Sequence, residues 1–187
     1  MKIHIILGST RPNRASENVA RWVLEEAKNY PEFEYELIDL RDLNLPFYDE
    51  PQTVKGINGN YAHEGVKKWS EKISEADGFI FITPEYNHGY TAVLKNALDW
   101  LYDEWKSKPA VFVSYGGIAA GTRAVQQLVM VFRELQMVPL RDGAHLPFIW
   151  EAFGEDGKFK PEYHVPDLKP MFEGLKKWVP LLKSSRQ

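Results

Sequence analysis

The sequence predicts one α/β domain built on a five-stranded parallel sheet with helices on both faces. Three observations carry this. Strand-length apolar runs alternate with helical patterns along the chain, the order that produces parallel crossovers. Residues 78–83 (Gly-Phe-Ile-Phe-Ile-Thr) are almost wholly apolar, as in a strand covered on both sides. The 187 residues contain no internal repeat and suffice for one sizeable core, which predicts a single domain over residues 1–187.

The elements follow in order. Residues 3–7 read as a short β-rich strand. Val19, Ala20, Val23, Leu24 and Ala27 then recur at spacings of three and four, the period of an amphipathic helix. Residues 33–39 alternate apolar and acidic side chains, as in a half-covered strand near a sheet edge. Residues 44–59 are turn-rich and read as a long loop. Val66, Trp69 and Ile73 mark a second helix before the strand at 78–83. Val93, Leu94, Ala97, Leu98 and Leu101 mark a third, and residues 110–114 a fourth strand. Residues 124–135 form a fourth helix with Leu128, Val131, Phe132 and Leu135 on one side. A fifth strand begins near Met137 and reaches Leu146, and Asp167 caps a final helix with Pro170 in its first turn and Pro180 near its end. Right-handed crossovers leave few topologies for such a chain. The natural one is a flavodoxin-like three-layer sandwich with strand order 2-1-3-4-5, whose ligands bind beyond the carboxyl ends of the strands.

Composition narrows the function. A net charge of -3 lacks the basic excess that phosphate neutralisation needs, so nucleic acid is not an expected partner. The absence of cysteine removes disulfides, thiolate metal sites and thiol chemistry. The apolar run at the N-terminus stops at Gly8, too short for a signal-peptide core, and no stretch approaches the ~18 apolar residues of a membrane span. A soluble cytoplasmic protein is the expectation.

Three loops then hold the chemistry. The first, residues 8–18, has Gly8 for a tight turn, hydroxyls on Ser9, Thr10 and Ser16, and forked cations on Arg11 and Arg14. The helix that follows aims free N–H groups and its positive dipole end at the same place. Neither Gly-x-Gly-x-x-Gly nor Gly-Lys-Ser/Thr is present, so a monophosphate fits better than a dinucleotide or a nucleoside triphosphate. The same residues also describe a plain capping turn, with Ser16 as cap and two solvated arginines. The second loop, residues 83–90, holds Pro84, Glu85, Tyr86, Asn87, His88, Gly89 and Tyr90. There Gly89 permits an unusual backbone angle or a close approach to a flat ligand; the plainer reading is a solvated loop covering the core. The third loop is Ser114, Tyr115, Gly116 and Gly117, whose paired glycines clear the space above the sheet edge or simply turn the chain.

In these loops, and in residues 94–100 (Leu-Lys-Asn-Ala-Leu-Asp-Trp), the chain resembles the NADPH-dependent FMN reductase family, which includes quinone, azo-dye and chromate reductases. The resemblance covers about residues 1–147. It implies FMN as cofactor and NADPH (or NADH) as reductant. By the resemblance Ser9, Arg11, Ser16 and Asn18 surround the FMN phosphate. Thr10 belongs to the same loop. Where many relatives have a serine three residues after the arginine, Arg14 stands, so Arg14 and Ser16 compete for that contact. Pro84, Glu85, Tyr86 and Asn87 run beside the ribityl chain and ring, and Ser114, Tyr115, Gly116 and Gly117 border the ring's other end. The implied reaction is ping-pong electron transfer to a quinone, azo compound, free flavin or metal oxyanion, with no side-chain acid or base. A flavodoxin-type electron carrier and an FMN-holding redox sensor stay open as alternatives. The resemblance also implies a homodimer or homotetramer paired near Lys95, Asp99 and Trp100. Residues 148–166 lie largely beyond it and read as a flap or a subunit contact.

Overall fold

The structure is a computed structural model that describes residues 1–186. Its elements are β1 (Lys2–Leu7), α1 (Ser16–Ala27), β2 (Glu34–Asp39), α2 (Leu40–Leu43), α3 (Val54–Ile57), α4 (Glu64–Glu75) and β3 (Gly78–Pro84). There follow α5 (Ala92–Asp99), a 3-10 turn (Asp103–Trp105), β4 (Pro109–Tyr115), α6 (Thr122–Glu134), β5 (Val138–Pro139), β6 (Ala144–Leu146), α7 (Ile149–Ala152) and α8 (Lys169–Ser184). All pairings between these strands are parallel, in the order β2-β1-β3-β4-β5, with β6 also on β4. This is the flavodoxin-like order that the sequence predicts.

The strand interiors are apolar on both faces because both faces are covered. On one side Val19, Ala20 and Val23 of α1 and Met171, Phe172, Leu175 and Val179 of α8 close over Ile3, Ile5, Ile80, Ile82 and Val111. On the other, Val66, Trp69 and Ile73 of α4, Leu94 and Leu98 of α5, and Leu128 and Phe132 of α6 close over Ile6, Phe79, Phe81 and Phe112. The result is three layers. Pro180 lies inside α8, where a proline costs about 3 kcal/mol. The four buried apolar side chains of that helix, at about 1.5–3 kcal/mol each, outweigh it.

The expected fifth strand is two pieces. β5 pairs with Pro109 and Ala110, and β6 pairs with Val113, Ser114 and Tyr115. Between them the backbone presses against β4: a Cβ on Gly143 would lie 2.6 Å from the Phe112 carbonyl oxygen. The turn-rich 44–59 segment also departs from a plain loop, since α3 forms within it. Asn96 fastens its start, donating to the Pro46 carbonyl at 2.8 Å and accepting from Tyr48 N–H at 3.1 Å. The Trp100 indole donates to Pro46 as well, at 2.7 Å, and is fully buried. Trp100 is therefore core. Asp167 does not hold the expected cap position of α8: that place falls to Leu168, which supplies no side-chain bond, and Asp167 only accepts from Lys169 N–H, at 2.9 Å, in the turn before the helix.

Residues 148–166 lie along α1. Phe153, Phe159 and Tyr163 form a stacked series, and Trp22 of α1 meets Phe159 edge-on. The Tyr163 hydroxyl donates to the Pro147 carbonyl at 2.6 Å. Among the described residues no helix is long and apolar enough to cross a membrane.

Candidate functional site

The carboxyl ends of β1, β3 and β4 bring the three sequence-predicted loops together. The register sets Leu7 beside Ile82, and Pro84 beside Tyr115. Ser9 and Tyr86 share a hydrogen bond between hydroxyls at 2.7 Å, which joins the first loop to the second. Glu85 N–H donates to the Tyr115 carbonyl at 3.0 Å, which joins the second to the third.

The first loop is held from several directions. Gly8 N–H donates to Ile82 O at 2.8 Å, and Thr91 Oγ1 donates to Gly8 O at 2.5 Å. Gly8 has no left-handed backbone; its lack of a side chain matters because a Cβ would lie 3.1 Å from Ile82 O and 3.2 Å from Leu94 Cδ2. The tight-turn role is thus replaced by close approach. Arg14 turns inward with its side chain only 2% exposed. Its guanidinium forks onto both carboxylate oxygens of Asp39, donates to the Ser9 carbonyl, and meets Glu17 Oε1 at 3.2 Å. Every arm of Arg14 is therefore engaged by the protein. Arg41 completes the brace, donating to the Arg11 carbonyl at 3.0 Å.

Ser16 behaves in the opposite way. It is fully buried, and among the described residues its Oγ has no hydrogen-bond partner of good geometry, although the Tyr115 hydroxyl stands near it and near Ser9. Nor does it cap α1: the helix begins at Ser16 after an Ala15 that supplies no side-chain cap. The first N–H groups of α1 thus lack a side-chain acceptor, which leaves the end of the helix receptive to an anion. The plain capping reading of Ser16 fails here. Burial pushes the Tyr115 hydroxyl up to about 12, so it stays a neutral donor beside this spot. Arg11 is exposed, has no ion-pair partner among the described residues, and holds its guanidinium 5.7 Å from the centre of the Tyr86 ring. Thr10 and Arg11 line a cleft of about 360 Å³ with Phe47, Tyr86, Thr91 and Asn96. Asn18 sits under the turn at Gly157, within residues 148–166.

The second loop closes as a tight turn, Tyr86 and Gly89 exchanging backbone hydrogen bonds at 2.9 and 3.0 Å. The left-handed angles fall on Asn87 (φ 50) and His88 (φ 68), not on Gly89 as its residue type suggests. Gly89 instead gives room to Gln127, whose Oε1 would lie 3.3 Å from a Cβ. Gln127 Nε2 donates to His88 O at 2.8 Å and steadies this strained pair. Glu85 is not free: Arg123 donates to its Oε1 at 2.8 Å from Nη1, and to its Oε2 at 3.2 Å from the backbone. Pro84 ends β3, buried.

In the third loop Ser114 is spent internally. Its Oγ donates to Ala120 O and meets His145 Nδ1, both at 2.7 Å. Gly116 N–H donates to Leu146 O at 3.2 Å, which ties the loop to β6. The space over Gly117 is faced by the exposed indole of Trp150, 3.5 Å from where a Cβ would stand. Sequence reasoning missed Asp39, Arg41, Thr91, Arg123 and Trp150. Only Thr91 carried a usable signal: Thr three residues before Leu94 is a helix cap, and its Oγ1 accepts from Leu94 N–H at 3.2 Å.

Comparison with known proteins identifies the family. A model of the NADPH-dependent FMN reductase family matches residues 1–151. An NAD(P)H-dependent FMN reductase of Schizosaccharomyces pombe is 45% identical over 148 residues, covering 78% of this chain and 74% of that one. An NADPH:quinone oxidoreductase of Arabidopsis thaliana is 31% identical over 173 residues, covering 89% and 83%. An FMN-dependent NADPH-azoreductase of Staphylococcus aureus is 32% identical over 162 residues, covering 85% and 84%. In fold, the chain superposes on the flavoenzyme NAD(P)H:(acceptor) oxidoreductase FerB of Paracoccus denitrificans with a TM-score of 0.69 at 24% identity, over 98% and 97% of the two chains. A family match over residues 1–151, with relatives 31–45% identical, makes this chain a member of the NADPH-dependent FMN reductase family, enzymes that work with FMN and NAD(P)H.

Proposed function

We propose that this single-domain chain is a cytoplasmic NAD(P)H reductase that holds FMN across the three loops and passes electrons by a ping-pong mechanism to a small flat or oxidising acceptor. The observation that carries the reading is the buried, unpartnered Ser16 Oγ beside the uncapped start of α1, because a phosphate there satisfies both at once. The FMN phosphate sits against Ser9, Thr10, Ser16, Asn18 and the α1 amides, with Arg11 closing from solvent. Arg14 shapes the loop and is not assigned to the phosphate, since four of its five N–H donors already bond Glu17, Ser9 and Asp39. Tyr86 and Asn87 flank the ribityl chain and ring, with Pro84 and the Arg123-held Glu85 fixing their strand end. Tyr115, Gly116 and Gly117 border the ring, and Ser114 supports them.

Bound FMN supplies the redox chemistry. The chain contributes binding, orientation and the shape of the open face. Phe47, Tyr86 and Trp150 give apolar surface beside it, on which flat reductant and acceptor can alternate. Acceptors in view are a quinone, an azo compound, free flavin or a metal oxyanion. The half-exposed pair Lys95–Asp99 (2.8 Å to Oδ1) and the exposed Phe47 suit a homodimer or homotetramer contact, and residues 148–166, on the α1 side of the sheet, a flap or a separate subunit contact.

The test begins with reconstitution. FMN-loaded protein should oxidise NAD(P)H in the presence of a benzoquinone, with parallel double-reciprocal lines; intersecting lines would remove the ping-pong assignment, and no turnover would remove the reductase. Arg11→Ala should weaken FMN about 10–100-fold, the worth of a hydrogen bond to a charged group. Ser16→Ala should have effects of opposite sign. It weakens FMN about tenfold, yet stabilises the FMN-free protein by about 1 kcal/mol because a buried hydroxyl without a partner disappears. Fluorescence titration with FMN and urea denaturation of the FMN-free form read the two effects separately.

A further inference from the structure

The other end of the sheet carries a cluster that the flavin chemistry does not use. We propose that His4, Glu36 and Glu75 form a binding site for one borderline divalent metal ion of the zinc class. His4 lies on β1 beside Glu36 of β2 in the register, and Glu75 ends α4. One ligand atom from each lies within 4.8 Å of the others. The His4 side chain is 0% exposed, and among the described residues neither ring nitrogen has a hydrogen-bond partner. Its Nε2 faces Glu36 Oε2 at 3.5 Å, which is an ion pair only if the imidazole is protonated. Burial disfavours the charged form of the ring, and a neutral imidazole offers a lone pair.

A buried imidazole with two idle nitrogens is an unfavourable arrangement. A metal ion on Nε2 removes half of that deficit. Bonds of 2.0–2.2 Å in tetrahedral geometry set ligand atoms about 3.4 Å apart. The side chains of Glu36 and Glu75, 36% and 44% exposed, can close that distance, and water completes the shell. Nitrogen in the set selects zinc-like ions over magnesium and calcium, which take oxygen ligands.

The carboxylates are now neutralised by lysines. Lys72 Nζ lies 2.9 Å from Glu36 Oε1 and 3.3 Å from Glu75 Oε2, and Lys2 Nζ lies 3.0 Å from Glu75 Oε2. Metal and ammonium groups therefore compete for the same oxygens. This gives the proposal a sign that a plain ion-pair belt lacks: removing Lys72 should tighten the metal. The site joins β1, β2 and α4 at the amino end of the strands, away from the three loops.

Isothermal titration of chelator-treated, FMN-loaded protein with zinc chloride and with magnesium chloride tests it. One zinc equivalent is expected, and no magnesium. Glu36→Gln and Glu75→Gln should each weaken zinc more than about 100-fold, beyond the cost of losing a supporting group. Lys72→Ala, which truncates a half-buried side chain outside the proposed ligand set, should strengthen it about tenfold. The His4 ring resonances should shift on zinc addition. Absence of the zinc equivalent overturns the site. So does an equivalent that survives both glutamine variants, which would place the ion elsewhere, as at the His63–Asp49 pair (3.1 Å). Weaker binding in Lys72→Ala, or unmoved His4 resonances, overturns it equally.

Discussion

Arg14→Ala is expected to destabilise the FMN-free protein by about 3 kcal/mol and to remove most of its FMN affinity. The stability figure stands at the low end for breaking a buried pair. The reason is that the Asp39 side chain keeps 20% exposure and still accepts from Arg41 N–H at 2.9 Å. The binding loss arises indirectly. Without Arg14 nothing pins the Ser9 carbonyl to the end of β2, and the loop carrying Ser9, Thr10 and Arg11 loses its shape. Arg14→Lys should recover only part, since an ammonium cannot fork onto a carboxylate. The acid side of the stability curve supplies a sharper readout. Burial raises the Asp39 pKa, but hydrogen bonds from Arg14 and Arg41 N–H outweigh it and hold the carboxyl below its ordinary value. A depressed carboxylate contributes stability above its unfolded value, near pH 4, and loses it as pH falls through the folded value. The deficit of Arg14→Ala should thus be full at pH 7 and shrink toward pH 3. Urea midpoints across that range would expose the opposite: a deficit that does not change with pH would mean the pair contributes nothing.

Gly121→Ala, at the start of α6 just past the third loop, should cost about 3 kcal/mol or more and lower Tm by roughly 10 °C. Gly121 has φ +82, and a Cβ would lie 2.8 Å from both Ser114 Cβ and Tyr115 N and 2.9 Å from Tyr115 O. Those are atoms of β4 and cannot give way. Gly59→Ala is the control: its φ is +78 but nothing lies within 4 Å of the added carbon. It should lose only the cost of the left-handed backbone, about 1 kcal/mol. Differential scanning calorimetry of the two variants separates strain from collision. Equal losses would show that the closeness of Gly121 to β4 is unimportant.

The fold was legible because its signals are local and repeated. The run at 78–83 and the three-four spacing from Val19 to Ala27 each state burial directly. The split of the last strand was not legible, since it depends on how near Gly143 runs to Phe112 in space. The loops were legible as a set, through Gly8, Pro84 and Gly116 at strand ends. The division of labour within them was not. Arg11 and Arg14 are the same residue type three positions apart, yet one points to solvent and the other into Asp39. The difference lies at the end of β2, and nothing near residue 14 in the sequence announces it. Glu85 likewise looks like a free ligand group until Arg123, 38 positions on, is brought against it. Conversely, the idle hydroxyl of Ser16 is visible only by exhausting its neighbours, which a linear sequence cannot do.

The broken last strand also bears on how the protein behaves when crowded with copies of itself. An uninterrupted outer strand offers a row of idle amides and carbonyls onto which another chain can add. Here one margin of the sheet is cut into lengths of two and three residues with a proline at position 139, so no long template survives. The opposite margin, β2, carries Glu34 and Glu36, paired with Lys2 and Lys72, so a second copy laid alongside would have to strip water from charged side chains. The sheet thus resists fibrous growth at both flanks by different means, interruption on one and a charged margin on the other.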